Sequence, residues 1–159
     1  MHHPLARQLL FGAFAAFGVC AGALADGDRR AAATPVLPKY QQECAACHVA
    51  YPAGMLPAAS WQRLANNLPR HFGTDASLDP ATVAELSRWL SANAATYKRV
   101  REEPPEDRIT RSAWFIRKHD EVPAAAWKRP AVKSAANCSA CHGQADQGDF
   151  NESNVRIPR

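Results

Sequence analysis

Cys44-Ala45-Ala46-Cys47-His48 and Cys138-Ser139-Ala140-Cys141-His142 both read C-x-x-C-H, and these ten residues decide how the rest of the chain is read. The pattern is the one by which a c-type haem is attached and ligated. Within one turn of chain, two thiols reach the two vinyl groups on one porphyrin edge, and the imidazole next in sequence reaches the iron. Two copies predict two covalently bound haem c groups, attached through Cys44, Cys47, Cys138 and Cys141, with His48 and His142 on the irons. A tetrathiolate zinc site or a dithiol redox pair also uses C-x-x-C, but neither requires histidine in the fifth place. Both copies have it, and the pairs lie 91 residues apart, from Cys47 to Cys138.

The histidines outside the motifs complete the arithmetic. Of six in the chain, His2 and His3 open the sequence and two sit in the motifs, which leaves His71 and His119. One falls in each half, so the simplest assignment gives each iron an axial pair: His48 with His71, and His142 with His119. A lone histidine in an arbitrary protein is more often a surface or packing residue. Here Phe72 adjoins His71, and Trp114 and Phe115 precede His119, supplying rings that can line a haem face. The competing ligand is Met55, but it follows His48 by only seven residues, too close along the loop to cross to the opposite side, and is read as packing. Two imidazoles favour ferric iron and a low reduction potential. They also close both axial positions, so no catalysis at the metal is expected. The free ring N–H groups of His48 and His142 are expected to be held by backbone carbonyls.

The N-terminus carries an apolar run from Leu9 to Leu24 followed by Ala23-Leu24-Ala25, a small-x-small cleavage pattern. Residues 1–25 are therefore read as a secretory signal peptide, short for a membrane span of about 20 residues. The expectation is a periplasmic protein with no permanent membrane anchor after cleavage. Removing 25 residues from 159 leaves 134, and setting Arg7 aside leaves 18 Lys and Arg against 15 Asp and Glu. Each ferric haem with ionised propionates adds about −1 and each ferrous haem about −2, which brings the whole near neutrality. That balance gives no support to nucleic-acid binding. All four remaining cysteines belong to the motifs, so stability must come from packing rather than disulfides.

Apolar spacing predicts an all-α chain of two small haem-centred domains. Residues 26–97 form the first and residues 112–159 the second; between them, residues 98–111 are a charged connector stiffened by Pro104-Pro105. A first helix is expected to run from about Pro38 through His48, with the motif in its last turns. Trp61, Leu64, Ala65 and Leu68 make one face of a second helix, which Pro69 ends. Asp79-Pro80 starts a third helix carrying Val83, Leu86, Trp89 and Leu90. A short helix follows Ser112, and Ser134 is expected to cap a helix bearing the second motif. The four tryptophans, Trp61, Trp89, Trp114 and Trp127, are read as packing residues rather than an electron path.

Beyond the motifs, longer strings carry a family resemblance. Glu43 to Pro52, Leu56-Pro57, Ser60-Trp61, His71-Phe72-Gly73 with Ala76-Ser77-Leu78, Trp114-Phe115, His119, Ser134 to His142 and Gln147 to Phe150 resemble the small dihaem cytochromes c of purple bacteria and other proteobacteria. The resemblance covers most of the chain after residue 25. It implies a first domain similar to class I cytochromes c, a smaller second haem domain, and bis-histidine ligation through His71 and His119. It also implies periplasmic electron transfer between redox proteins, with a membrane b-type cytochrome or a small oxygen-binding c-type cytochrome as partner.

The leading expectation is thus an electron carrier or relay, not an enzyme. An alternative is a haem enzyme or gas-binding protein, peroxidase-like, in which a distal ligand dissociates. Such enzymes are typically much larger, and no surplus of acid–base residues gathers near either motif. Arg117, Lys118, Lys128, Arg129 and Lys133 in the second half would steer an acidic partner, or simply form a solvated face.

Overall fold

The computed structural model describes residues 35–97, 100 and 102–159; the expected leader, its lead-in and part of the connector lie outside these residues. Four α-helices order the described chain: α1 (Pro38–Cys44), α2 (Ala58–Ala65), α3 (Pro80–Ala92) and α4 (Ala113–Lys118). Single 3-10 turns and loops connect them. Among the described residues there is no strand, only isolated bridges such as His71 with Thr74 and His142 with Val155. The all-α expectation is therefore met. No helix among the described residues is long and apolar enough to cross a membrane.

Helices form where local chemistry starts them. The Asp79 side chain accepts hydrogen bonds from the backbone N–H groups of Ala81 and Thr82, both at 3.0 Å, and Pro80 occupies the first turn, where its missing N–H costs nothing. Ser112 caps α4 in the same way, accepting from Phe115 N–H at 3.2 Å. The motif segments do not follow the expected pattern. α1 stops at Cys44, so Cys47 and His48 lie in the turn beyond it rather than within its last turns. The second motif is no α-helix: Cys138–Ala140 is a single 3-10 turn. Ser134 caps nothing longer than a turn, its hydroxyl accepting from Ala136 N–H at 3.1 Å. The reason is the preceding chain, where Lys133 takes a positive φ of 65° and the Asn137 side chain donates to Val132 O at 3.0 Å, closing a compact loop that leaves no room for a helical lead-in.

α2 and α3 pack together and enclose the core of the first half. Tyr40, Ala53, Leu56, Trp61, Leu86 and Leu90 are buried there. Trp61 donates its indole N–H to Ala53 O at 2.7 Å, and Tyr40 packs against Trp89 with ring centroids 5.1 Å apart. The packing role expected of Trp61 and Trp89 is met. In the second half Phe115, Ala126, Val132 and Ala145 are buried. The charged connector folds back on α2: Arg63 bonds Glu103 at 2.7 Å and Asp107 at 2.6 Å.

Candidate metal centres

His71 ends a 3-10 turn, Leu68–Arg70, and is fixed by backbone on both sides. Its N–H donates to Leu68 O at 3.2 Å, and its C=O accepts from Thr74 at 3.0 Å. The reversal needs left-handed backbone at Phe72 (φ 53°) and at Gly73 (φ 96°); the glycine takes it freely, the phenylalanine at a cost. Arg108 lies over the Phe72 ring, 4.2 Å from its centroid, holding the strained residue from outside. The turn presents the His71 ring to that of His48, with centroids 6.2 Å apart and planes inclined by 21°. His119 follows the last turn of α4, and its ring lies 6.1 Å from that of His142, inclined by 71°.

These separations are informative. Face-to-face rings in contact lie closer, as Phe115 and His119 do at 3.9 Å, whereas edge-on contacts such as Trp114 with Phe115 reach 6.1 Å. With about 2 Å from an imidazole nitrogen to a metal and about 1.1 Å from that nitrogen to the ring centre, two rings on opposite sides of one ion have centroids roughly 6 Å apart. Both pairs match that span. The sequence-based pairings, His48 with His71 and His142 with His119, are the ones the fold brings together.

Hydrogen bonding fixes one ring of each pair. His48 Nδ1 lies 2.7 Å from Val49 O, and His119 Nδ1 lies 2.8 Å from Phe115 O. A donating Nδ1–H leaves Nε2 as the free, neutral donor atom. The carbonyl expected at His142 is absent: its Nδ1, like that of His71, is buried without a hydrogen-bond partner among the described residues. In the second pair the tether falls instead on His119, because the last carbonyls of α4 have no helical N–H to meet. Trp114 Nε1 is a third buried nitrogen with no partner. All three belong to the His48–His71 and His119–His142 neighbourhoods, as expected if a cofactor with its own metal and acceptors fits there.

Charge favours the same species. Burial above all, with His48 and Arg108 nearby, holds the His71 imidazole below its usual value; burial and His119 do so for His142, against an opposing pull from Asp149. Neutral imidazole is the form that ligates. Burial pushes the Cys44 thiol up to about 11, and raises Cys138 and Cys141. None of these three is the lowered-pKa thiolate of a dithiol redox pair. Among the described residues no three His, Cys, Asp or Glu side chains gather into a group that could hold a metal, so the two C-x-x-C pairs do not share one tetrathiolate centre.

Aromatic rings flank both pairs. Tyr51 stacks on His48 at 4.7 Å and Phe72 tilts against His71 at 4.9 Å. Phe115 and Trp127 pack on His119, and Phe150 on His142 at 5.4 Å. A cavity of about 480 Å³ beside His71 is lined by Leu64, Phe72 and Asp107 among others. Met55 sits in a half-buried 3-10 turn, Ala53–Met55, and takes part in neither histidine pair.

Comparison with known proteins bears on this geometry. Residues 40–150 match the sequence model of the family described as dihaem cytochrome c. The chain belongs to the dihaem cytochrome c family. It carries two covalently bound haem c groups, and its role is haem-based electron transfer. A solved dihaem cytochrome c of Shewanella baltica is 43% identical, with a TM-score of 0.67 over 76% of this chain and 92% of that one. Two structures of the Rhodobacter sphaeroides protein are similar. One is 44% identical, with a TM-score of 0.64 over 72% of this chain and 97% of that one. The other is 41% identical, with a TM-score of 0.66 over 75% of this chain and the whole of that one. No curated protein matches. Sequence reasoning took Trp127 as a core or haem-packing residue, and it did not single out Tyr51 as a site residue of this dihaem cytochrome. The bond from the Tyr51 hydroxyl reaches Ala136, 85 residues on, a pairing for which no local motif exists.

Proposed function

We propose that this dihaem cytochrome c is an exported, periplasmic electron carrier that relays single electrons between redox proteins, and that it is not an enzyme. The observation that carries the reading is the pair of histidine–histidine separations, 6.2 and 6.1 Å, each suited to one metal held from both sides. Bound haem supplies one-electron exchange between ferric and ferrous iron, at a potential that two imidazoles draw downward.

The chain's own residues do the rest. Cys44 and Cys47, and Cys138 and Cys141, would anchor the groups; His48 with His71, and His142 with His119, would ligate them. Ligation from both sides by these histidines would leave dioxygen and peroxide no open coordination place. The leader-like run from Leu9 to Leu24 supports export. Its partners would be other redox proteins, with a membrane b-type cytochrome or a small oxygen-binding c-type cytochrome as the specific choice to examine.

The test is a spectroelectrochemical titration of the purified holoprotein combined with carbon monoxide mixing. Two one-electron waves, a low-spin ferric spectrum at both centres and no rapid carbon monoxide binding are expected. Rapid binding by the unaltered reduced protein would overturn the reading in favour of a peroxidase-like or gas-binding haem protein. Location is tested separately, by fractionating cells and sequencing the mature N-terminus, expected at Asp26.

A further inference from the structure

Tyr51 touches the first motif and the segment that leads into the second. Its ring stacks on His48, with centroids 4.7 Å apart and planes inclined by 22°. Its hydroxyl donates to Ala136 O at 2.7 Å, a bond that spans 85 residues of sequence. Ala136 stands two residues ahead of Cys138. The backbone at this point is fixed as well: Tyr51 O accepts from the hydroxyl of buried Tyr40 at 2.7 Å, and Tyr40 packs on Trp89. One side chain, held rigidly from behind, thus joins an iron-facing histidine of the first motif to the segment that leads into the thioether cysteine of the second.

That arrangement exceeds what stability asks of a half-buried tyrosine. Packing on His48 needs only the ring, and a solvated hydroxyl would cost nothing. Electronic coupling between two centres decays more slowly along covalent and hydrogen bonds than across van der Waals gaps. Of the contacts around His48, the one through Tyr51 reaches the second motif without a gap beyond the ring stack.

We propose that Tyr51 couples the two haem sites, carrying electron exchange along the path His48–Tyr51–Ala136–Cys138. The inference rests on the relay reading above. One electron leaves the ferrous iron of one site and reduces the ferric iron of the other. No bond forms or breaks, and no further reactant takes part. Tyr51 keeps its proton and is neither oxidised nor reduced.

The experiment is flash photolysis or pulse radiolysis of the holoprotein, delivering one electron per molecule and following its redistribution between the two haems. The unaltered protein is compared with Tyr51→Phe, which keeps the ring and loses the hydrogen bond, and with Tyr51→Leu, which loses both. Reduction potentials of both haems, measured on each variant, correct the rates for altered driving force, and the ferric spectrum reports whether the first centre is still low-spin. The expected result is a several-fold slower exchange in Tyr51→Phe and a slower one still in Tyr51→Leu, with both centres low-spin and the potential difference little changed. An exchange rate in Tyr51→Phe equal to that of the unaltered protein overturns the coupling role while the relay reading stands. Slowing accompanied by a high-spin first centre also overturns it, because the residue would then merely support His48. An unaltered protein whose haems exchange no electrons at all removes the relay and the coupling role together.

Discussion

Replacing His71 with alanine takes away one ring of the 6.2 Å pair and leaves the 6.1 Å pair intact. The turn that carries it should survive, since its backbone bonds to Leu68 and Thr74 do not involve the side chain, and its Nδ1 has no protein partner to lose. The magnitude follows from the count of centres: one of two irons loses an axial nitrogen, so half of the ferric low-spin absorbance converts to high-spin. On reduction, carbon monoxide should bind rapidly at one equivalent per chain. His119→Ala should behave likewise at the other centre, and the double variant should bind two equivalents. Millimolar imidazole should restore the low-spin spectrum of His71→Ala, because free ligand can fill the space that the ring vacates, whereas a protein damaged by misfolding would not recover. Optical and near-infrared spectra with a carbon monoxide titration suffice to measure all of this. An unchanged spectrum and no new binding in His71→Ala would refute the reasoning and send attention to Met55 as the ligand.

Further expectations concern the scaffold. Leu56 is 1% exposed at the centre of the first core, and Leu56→Ala should cost about 2–5 kcal/mol in denaturant unfolding of the holoprotein; a loss well under that range would mean that the site collapses around the change. Ser112→Ala removes the cap of α4 and should cost about 1 kcal/mol, with the helix that delivers His119 fraying first in hydrogen exchange. The hydrogen bond from the Arg63 guanidinium holds the Asp107 carboxyl below the usual carboxylate range. A carboxyl depressed by folding stabilises above its unfolded value of about 3.9 and loses that contribution as pH falls through the lower folded value. Asp107→Asn should therefore lower Tm at neutral pH and flatten its acid limb; identical acid limbs would dispose of the pairing. Cys138→Ser with Cys141→Ser should halve the covalent haem retained after acid–acetone extraction, and full retention would contradict attachment at the second motif.

Much of the site was legible because it rests on short-range chemistry. C-x-x-C-H is complete within five residues, and counting histidines supplied the other member of each pair. α3 was readable for the same reason: Asp79 and Pro80 start it whatever lies around them. The second motif misled, because the Lys133 reversal and the Asn137–Val132 bond, not local helix preference, set the path of the chain into Cys138. The tether on His119 rather than His142 was equally hidden. It depends on the helix ending at Lys118, which leaves Phe115 O free to meet the ring. Tyr51 carried no signal beyond its place in the Glu43 to Pro52 string, since its partner is a backbone carbonyl, and every residue type has one of those.

The two histidine pairs differ in ring orientation, near parallel at 21° in one and crossed at 71° in the other. The π orbitals of an imidazole mix with the iron d orbital that lies perpendicular to its plane. Parallel rings act on a single d orbital and split it from its neighbour; crossed rings act on one each and leave the two close in energy. A ferric ion between crossed rings keeps more orbital angular momentum, so its unpaired electron responds more anisotropically to a magnetic field. Two centres ligated by these pairs would thereby be magnetically inequivalent through nothing more than the twist of one imidazole, and frozen-solution paramagnetic resonance would address each without altering a residue.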